Sequence, residues 1–202
     1  MAWKLAQSTK ITKLYIAPGN PGTAAVGENV MIQAEDIAGL KSFALAEKIG
    51  LTVVGPELPL TMGIVDVFQE AGLLIFGPSR AAAELEGSKV FSKELMIRHK
   101  IPTAFFKGFD RIEAARDYIN THNPPMVVKA DGLAAGKGIV ICQTRDEALE
   151  AVDLMMAKKT FGIAGSKVII EEFLEGEEAS FLAITDGKTV VPLAPAQDHK
   201  AI

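Results

Sequence analysis

The sequence predicts an α/β fold: a doubly wound parallel sheet first, then an α+β region. Three observations carry this reading. Short strand-like runs alternate with helical patterns through the first part of the chain. Two of those runs, "LTVVGPE" and "LLIFGPS", read as strands buried on both faces. After Arg80 the alternation gives way to two consecutive helical patterns and then a strand-rich α+β region. In order, "KLYIAPG" reads as a strand ending in a turn, and "IAGLKSFALAEKIG" as a helix stopped at Gly50. "LTVVGPE" is a buried strand, "MGIVDVFQEAG" a helix closed by Gly72, and "LLIFGPS" another buried strand. Ligands on such sheets sit beyond the carboxyl ends of the strands. Here those ends are "APGNPGTA", "GPELPL" and "GPSR", where Gly and Pro allow either close backbone approach to a ligand or an ordinary turn.

Beyond Arg80, "AAAELEGSKVFSKELMIRHK" reads as a helix, a break at Gly87 and a second helix from Ser88. "IPTAFF", "MVVKA", "GIVIC", "KVIIEEF", "ASFLAIT" and "TVVPLA" read as strands, with helices at "RIEAARDYI" and "RDEALEAVDLMMAKK". The domain boundary is placed between Gly77 and Ser88.

The 202 residues, 49% of them hydrophobic, are enough for a real core and for two domains. A net charge of −4 and a pI near 5.5 give no basic footprint for a nucleic-acid partner. No apolar run approaches the roughly 20 residues of a membrane span, and "MAWKLAQSTK" lacks a signal core. The one cysteine, Cys142, lies in an apolar run; it excludes an internal disulfide and suits a reducing, cytoplasmic setting. His99, His122 and His199 are scattered and offer no metal-ligand spacing.

The chemistry concentrates in "MVVKADGLAAGKGIVIC". Along its first strand Val127, Lys129 and Asp131 share one face, and Val128 and Ala130 the other. A lysine in so apolar a strand is costly unless its ammonium meets an anion or reaches water. Gly132, Gly136 and Gly138 leave backbone N–H groups uncovered, able to point at phosphate oxygens. Ala134 and Ala135 keep the loop thin, and Lys137 adds a mobile positive charge. A flexible hairpin with solvated lysines is the plainer alternative. Gly132 and Gly136 enclose three residues and Gly138 follows Lys137, so this is not the Walker A spacing, and the G-x-G-x-x-G dinucleotide spacing is absent as well. The second element, "VIIEEFLEGEEASF", crowds glutamates at a strand end and the turn after it. They could receive the amino and hydroxyl donors of a nucleotide, or form a solvated acidic tip.

Together these two stretches resemble the ATP-grasp superfamily, and within it the phosphoribosylamine–glycine ligase family of purine biosynthesis. "AWKLAQS", "LYIAPGNPGTA", "TVVGPELPL", "GLLIFGPSRAAAELEGSKVFSKELM" and "PLAPAQDHK" extend the resemblance along the whole chain. It implies an N-terminal substrate domain over 1–78, connecting helices over 79–102, an ATP-grasp lid subdomain over 103–171 that moves to admit ATP, and the start of the central sheet over 172–202. It further implies that Lys93, Lys129, Asp131 and the loop from Gly132 through Gly136, Lys137 and Gly138 serve the ATP phosphates. Glu171, Glu172 and Leu174 would line adenine, mainly through backbone, and Glu178 would take the ribose hydroxyls. Pro18, Gly19, Asn20, Pro21 and Gly22, then Gly55, Pro56 and Glu57, with Asp198, would meet the amine substrate.

The implied reaction joins glycine to 5-phosphoribosylamine through a glycyl phosphate, with ATP cleaved to ADP and phosphate and no protein nucleophile. Mg²⁺ is the implied metal, and no ligand for it is assigned in this chain. Members of the family begin with a further strand and glycine-rich turn and continue past "QDHK" into acidic, metal-binding segments. The expectation is therefore an internal piece of a longer enzyme, inactive and poorly stable when isolated. The alternatives are another ATP-grasp ligase and an ATP-binding module without chemistry of its own.

Overall fold

Proline sets the length of the first strands. β1 (Tyr15–Ile16) runs into Pro18, β3 (Thr52–Val53) into Pro56 and β4 (Ile75–Phe76) into Pro78. A residue without an N–H cannot extend a ladder. β1 pairs in parallel with β2 (Glu28–Asn29), and β3 in parallel with β4. In the computed structural model, which describes residues 1–132, 138–158, 160 and 165–197, these remain two separate two-stranded pairs rather than one continuous ladder. The expected parallel pairing is present, but each strand is clipped to two residues.

The helices of this region are α1 (Ala2–Leu5), α2 (Ile37–Ala46), α3 (Glu57–Met62) and α4 (Ile64–Glu70). The Asp36 carboxylate caps α2 by accepting from Gly39 N–H at 2.9 Å. "GPELPL" was expected to be a turn, yet Glu57–Met62 is helical. Pro59 is tolerated there because it lies in the first turn, where backbone N–H groups have no helical partner. Gly63, at φ +93°, takes the left-handed conformation that separates α3 from α4. Ala44, Ile64, Val65 and Phe68 form the buried centre, with Leu40, Val54, Leu60 and Ile75 packed around them.

α5 (Arg80–Gly87) and α6 (Lys89–Arg98) meet at the predicted break. The Ser88 hydroxyl caps α6, accepting from Phe91 N–H at 3.1 Å. The second core belongs to an antiparallel region made of β5 (Phe106–Phe109), α7 (Ile112–Thr121), β6 (Met126–Ala130), β7 (Ile139–Cys142), α8 (Arg145–Val152) and β8 (Val168–Glu172). Its sheet runs β5-β8-β6-β7 with every neighbour antiparallel, so "MVVKA" and "GIVIC" share one sheet. β5 begins later than "IPTAFF" suggested, although the Phe105 C=O still accepts from Glu172 N–H at 3.0 Å.

One face of this sheet is covered by α7 and α8. Met126, Val128, Ala130, Cys142, Val168 and Ile170 pack there against Ala115, Ile119, Ala148, Val152 and Met155. A full capping box at Thr144 and Glu147 starts α8, which continues as a π-helical turn over Asp153–Ala157. Burial pushes the Cys142 thiol up to about 11. A short antiparallel hairpin of β9 (Ala183–Thr185) and β10 (Val190–Pro192) follows. No helix among the described residues is long and apolar enough to cross a membrane.

Candidate functional site

The face of the antiparallel sheet away from α7 and α8 carries Lys129 and Glu171. Because side chains alternate, burying Val128, Ala130, Val168 and Ile170 on the helix side forces Lys129, Ile169 and Glu171 to the other. In the observed register Lys129 lies opposite Ile169 and Val127 opposite Glu171. Lys129 therefore reaches Glu171 diagonally, with Nζ 2.8 Å from Oε2. From α6, Lys93 Nζ stands 3.2 Å from Glu171 Oε1 and 5.7 Å from the centre of the Phe106 ring.

The Glu171 side chain is 4% exposed, Lys93 14% and Lys129 24%. Two ammonium groups thus share one buried carboxylate, leaving one positive charge in excess on a poorly solvated face. That arrangement favours a further anion. Oε1 lies within ion-pair distance of Lys93 but has no aligned hydrogen bond, so the carboxylate keeps acceptor capacity.

The sequence reading missed the apolar side of this face. Ile139 lies opposite Lys129 and Ile141 opposite Val127; both isoleucines are about half exposed, while Val140 and Cys142 pack toward the core. The alternation in "GIVIC" contained the signal, but only the β6–β7 register places those isoleucines beside the lysine. An apolar wall next to the Lys129 ammonium suits a ligand with a flat ring and an anionic tail.

The neck of the glycine loop is closed by Ala130 N–H donating to Gly138 C=O at 2.8 Å. Gly132 carries a carbonyl that accepts from Lys89 Nζ at 3.1 Å. Gly136 and Lys137, like Asp198, lie outside the described residues. Asp131 is adjacent to the loop, yet its carboxylate accepts from Val90 N–H and the Ser88 hydroxyl. Glu172 similarly turns back onto the sheet, where Oε1 accepts from Phe105 N–H at 2.7 Å. Leu174 is 64% exposed, and Glu178 sits on the exposed segment between β8 and β9.

The Pro18–Gly22 turn follows β1 and is held by side chains. Thr23 N–H donates to Asn20 Oδ1 at 3.0 Å and Asn20 N–H to Thr23 Oγ1 at 2.7 Å, while Asn29 Nδ2 donates to the Asn20 carbonyl at 2.8 Å. Gly19, at φ +76°, passes so close to Asn29 that a Cβ would strike its amide. Pro21 and Gly22 are exposed at the tip. Gly55 and Pro56 follow β3, and Glu57 occupies the first turn of α3. Among the described residues no three His, Cys, Asp or Glu side chains are grouped to hold a metal ion.

Two family models cover the chain. "Phosphoribosylglycinamide synthetase, N domain" matches residues 1–86, and "Phosphoribosylglycinamide synthetase, ATP-grasp (A) domain" matches residues 87–202. The phosphoribosylamine–glycine ligase of Haemophilus influenzae is 55% identical over 204 aligned residues, and that of Salmonella typhimurium 52%. Each alignment takes in 100% of this chain and 48% of the relative, so the chain spans about half the length of the curated relatives it matches. Among solved structures it is similar to phosphoribosylamine–glycine ligase from Thermotoga maritima, with a TM-score of 0.78 and 30% identity over 98% of this chain and 47% of that one. N5-carboxyaminoimidazole ribonucleotide synthetase from Thermus thermophilus shares the fold at a TM-score of 0.68 and 23% identity, covering 91% of this chain and 47% of that one. Both domain matches, together spanning residues 1–202, lead to one conclusion: the chain belongs to the phosphoribosylglycinamide synthetase family of ATP-grasp proteins.

Proposed function

We propose that this chain provides the nucleotide site and the amine-side turns of a ligase that joins glycine to 5-phosphoribosylamine, with ATP cleaved to ADP and phosphate. The observation that carries the reading is the convergence of Lys93 and Lys129 on the buried Glu171 carboxylate, beside the Ile139–Ile141 wall. ATP phosphates would take over the lysines from Glu171, and adenine would lie along the apolar wall. The vacated carboxylate and the backbone of Glu172 and Leu174 would then be available to the adenine amino group. Glu178 is assigned to the ribose hydroxyls, and the loop through Gly132, Gly136, Lys137 and Gly138 to the phosphates. The turns Pro18–Gly22 and Gly55–Glu57, with Asp198, are assigned to the amine substrate.

In this reaction a glycine carboxylate oxygen attacks the γ-phosphorus while the bond to the β-phosphate oxygen breaks. The sugar's amine then attacks the glycyl carbonyl, phosphate leaves, and the nitrogen loses a proton. Neither step calls for a protein nucleophile; positioning and charge neutralisation carry the catalysis. Mg²⁺ would accompany the nucleotide, as magnesium ADP accompanies the similarly folded biotin carboxylase domain of Hydrogenobacter thermophilus. Its role would be to neutralise phosphate charge. We assign the reaction to the cytoplasm, with small-molecule partners and neither nucleic acid nor membrane.

Two measurements test the proposal. On the chain itself, calorimetry should show Lys129→Ala weakening ATP by about 1.5–3 kcal/mol, the worth of a charge-assisted contact. Lys158→Ala, at an exposed helix end, should change affinity little. Equal affinities in the two variants would remove Lys129 from the site. At the full length of the relatives, a protein carrying this sequence should release ADP only when both glycine and phosphoribosylamine are supplied. ADP release that ignores glycine would point to a different ligase chemistry.

A further inference from the structure

We propose that Asn29, with Thr23, is a positioning residue for the amine substrate: it ties the Pro18–Gly22 turn to the end of β2 and holds the Asn20 side-chain amide as a donor to an oxygen of phosphoribosylamine. The inference rests on the assignment of that turn to the amine substrate, and it concerns two residues that the assignment does not use. The Asn29 amide can stand only one way round. Its Nδ2 donates to the Asn20 carbonyl at 2.8 Å, an acceptor without a proton, and its Oδ1 accepts from the Thr23 hydroxyl at 2.8 Å. The Thr23 oxygen in turn accepts from Asn20 N–H at 2.7 Å, and Thr23 N–H donates to Asn20 Oδ1 at 3.0 Å. Asn20 thus has its N–H, its C=O and its side-chain oxygen engaged. What remains is Nδ2, on an exposed residue and with no partner among the described residues.

Asn29 belongs to the sheet rather than to the turn. It ends β2, opposite Ile16 in the parallel ladder, and just beyond it Val30 N–H donates to Ile16 C=O at 2.8 Å. Pairing with β1 therefore places the Asn29 side chain, and that side chain reaches the turn into which β1 runs. Gly19 makes the reach possible, because at φ +76° it has no Cβ to strike the Asn29 amide. A half-buried amide bonded at both ends and packed on backbone has little freedom, so the turn inherits the position of the ladder. An exposed turn without such a tie would offer its donor in several places, and binding is sensitive to shifts of an ångström. A contact felt alike by bound substrate and transition state acts on KM rather than on kcat.

The test is steady-state kinetics at the full length of the relatives, on a protein carrying this sequence, with phosphoribosylamine, glycine and ATP each varied in turn. Asn29→Leu keeps the outline of the side chain but can neither donate nor accept. It should raise KM for phosphoribosylamine by about tenfold, while kcat and the KM values for glycine and ATP change less than about twofold. Thr23→Val puts a methyl group in place of the hydroxyl and should show the same selective rise even if the leucine variant does not fold. Thr23→Ser, which keeps the oxygen, should hold KM within about threefold of wild type. Asp36→Ala loses the cap of α2 in the same region; it should lower Tm and leave the ratios of the three KM values unchanged. Equal rises for all three substrates in Asn29→Leu and Thr23→Val, or no rise in either, would overturn the positioning role. Asn20→Ala separates that failure from a failure of the turn's assignment: an unchanged KM for phosphoribosylamine in this variant would remove the turn from the amine site, and the tie with it.

Discussion

The parallel region around β1–β4 and the antiparallel region around β5–β8 hold their candidate site residues by different means. In the first, strands of two residues leave little ladder, and buried Ala44, Ile64, Val65 and Phe68 are its centre. Its turns are fixed locally, as when Asn20, Thr23 and Asn29 lock one another across Gly19. In the second, strands of four and five residues build a sheet with a much larger buried cluster. There, charged side chains are placed by strand register and alternation, because packing one face dictates what stands on the other. A site on a packed sheet tolerates charge that a two-residue strand could not hold in place.

Emptying the two cores is the strongest way to break this comparison. Phe68→Ala should cost about 3–5 kcal/mol and Ile119→Ala about 2–5 kcal/mol, since both side chains are fully buried. If the regions are separately supported, native-state hydrogen exchange on Phe68→Ala should lose protection around α4 and keep it at Val128 and Ile170. Uniform loss along the chain would mean that the two cores stand or fall together.

A smaller effect sharpens the contrast within the parallel region. Gly19→Ala forces a Cβ into the Asn29 amide at a φ of +76° and should cost about 1 kcal/mol or more in urea unfolding. A variant as stable as wild type would show that the turn is not held as tightly as its hydrogen bonds imply.

The smallest effect concerns Cys142, buried under α8. Its thiol is pushed up to about 11 from 9.0, chiefly by burial and then by the Glu147 charge, so near neutral pH it stays protonated. An alkylating reagent should therefore label the folded chain slowly and the urea-unfolded chain fast. The sign of the linkage follows: the neutral thiol's contribution is fully present below about pH 9 and is lost as pH rises through about 11. Rapid labelling under native conditions would mean that the antiparallel core opens readily.

Much of this was legible along the chain. Apolar strand runs punctuated by Gly and Pro gave the element order, and a lysine inside "MVVKA" required either an anion or water. It has both: Glu171 at 2.8 Å and partial exposure. The helix at Glu57–Met62 was not legible, because Pro59 reads as a breaker until its place in a first turn is known. Nor was the late start of β5, which depends on where β8 ends beside it.

The sequence by itself determined which residues share a face, since the periods of strand and helix are set by backbone geometry. It also determined where strands stop, through prolines that cannot donate. Tertiary structure alone decided the partners. Glu171 joins Lys129 across 42 positions of sequence, and Asp131 turns to Ser88 across 43. Ile139 and Ile141 became a wall only when β7 took its register on β6. The physical reason is that periodicity fixes direction within an element, whereas contact between elements depends on pairing register and on the packing of a face that no local pattern specifies.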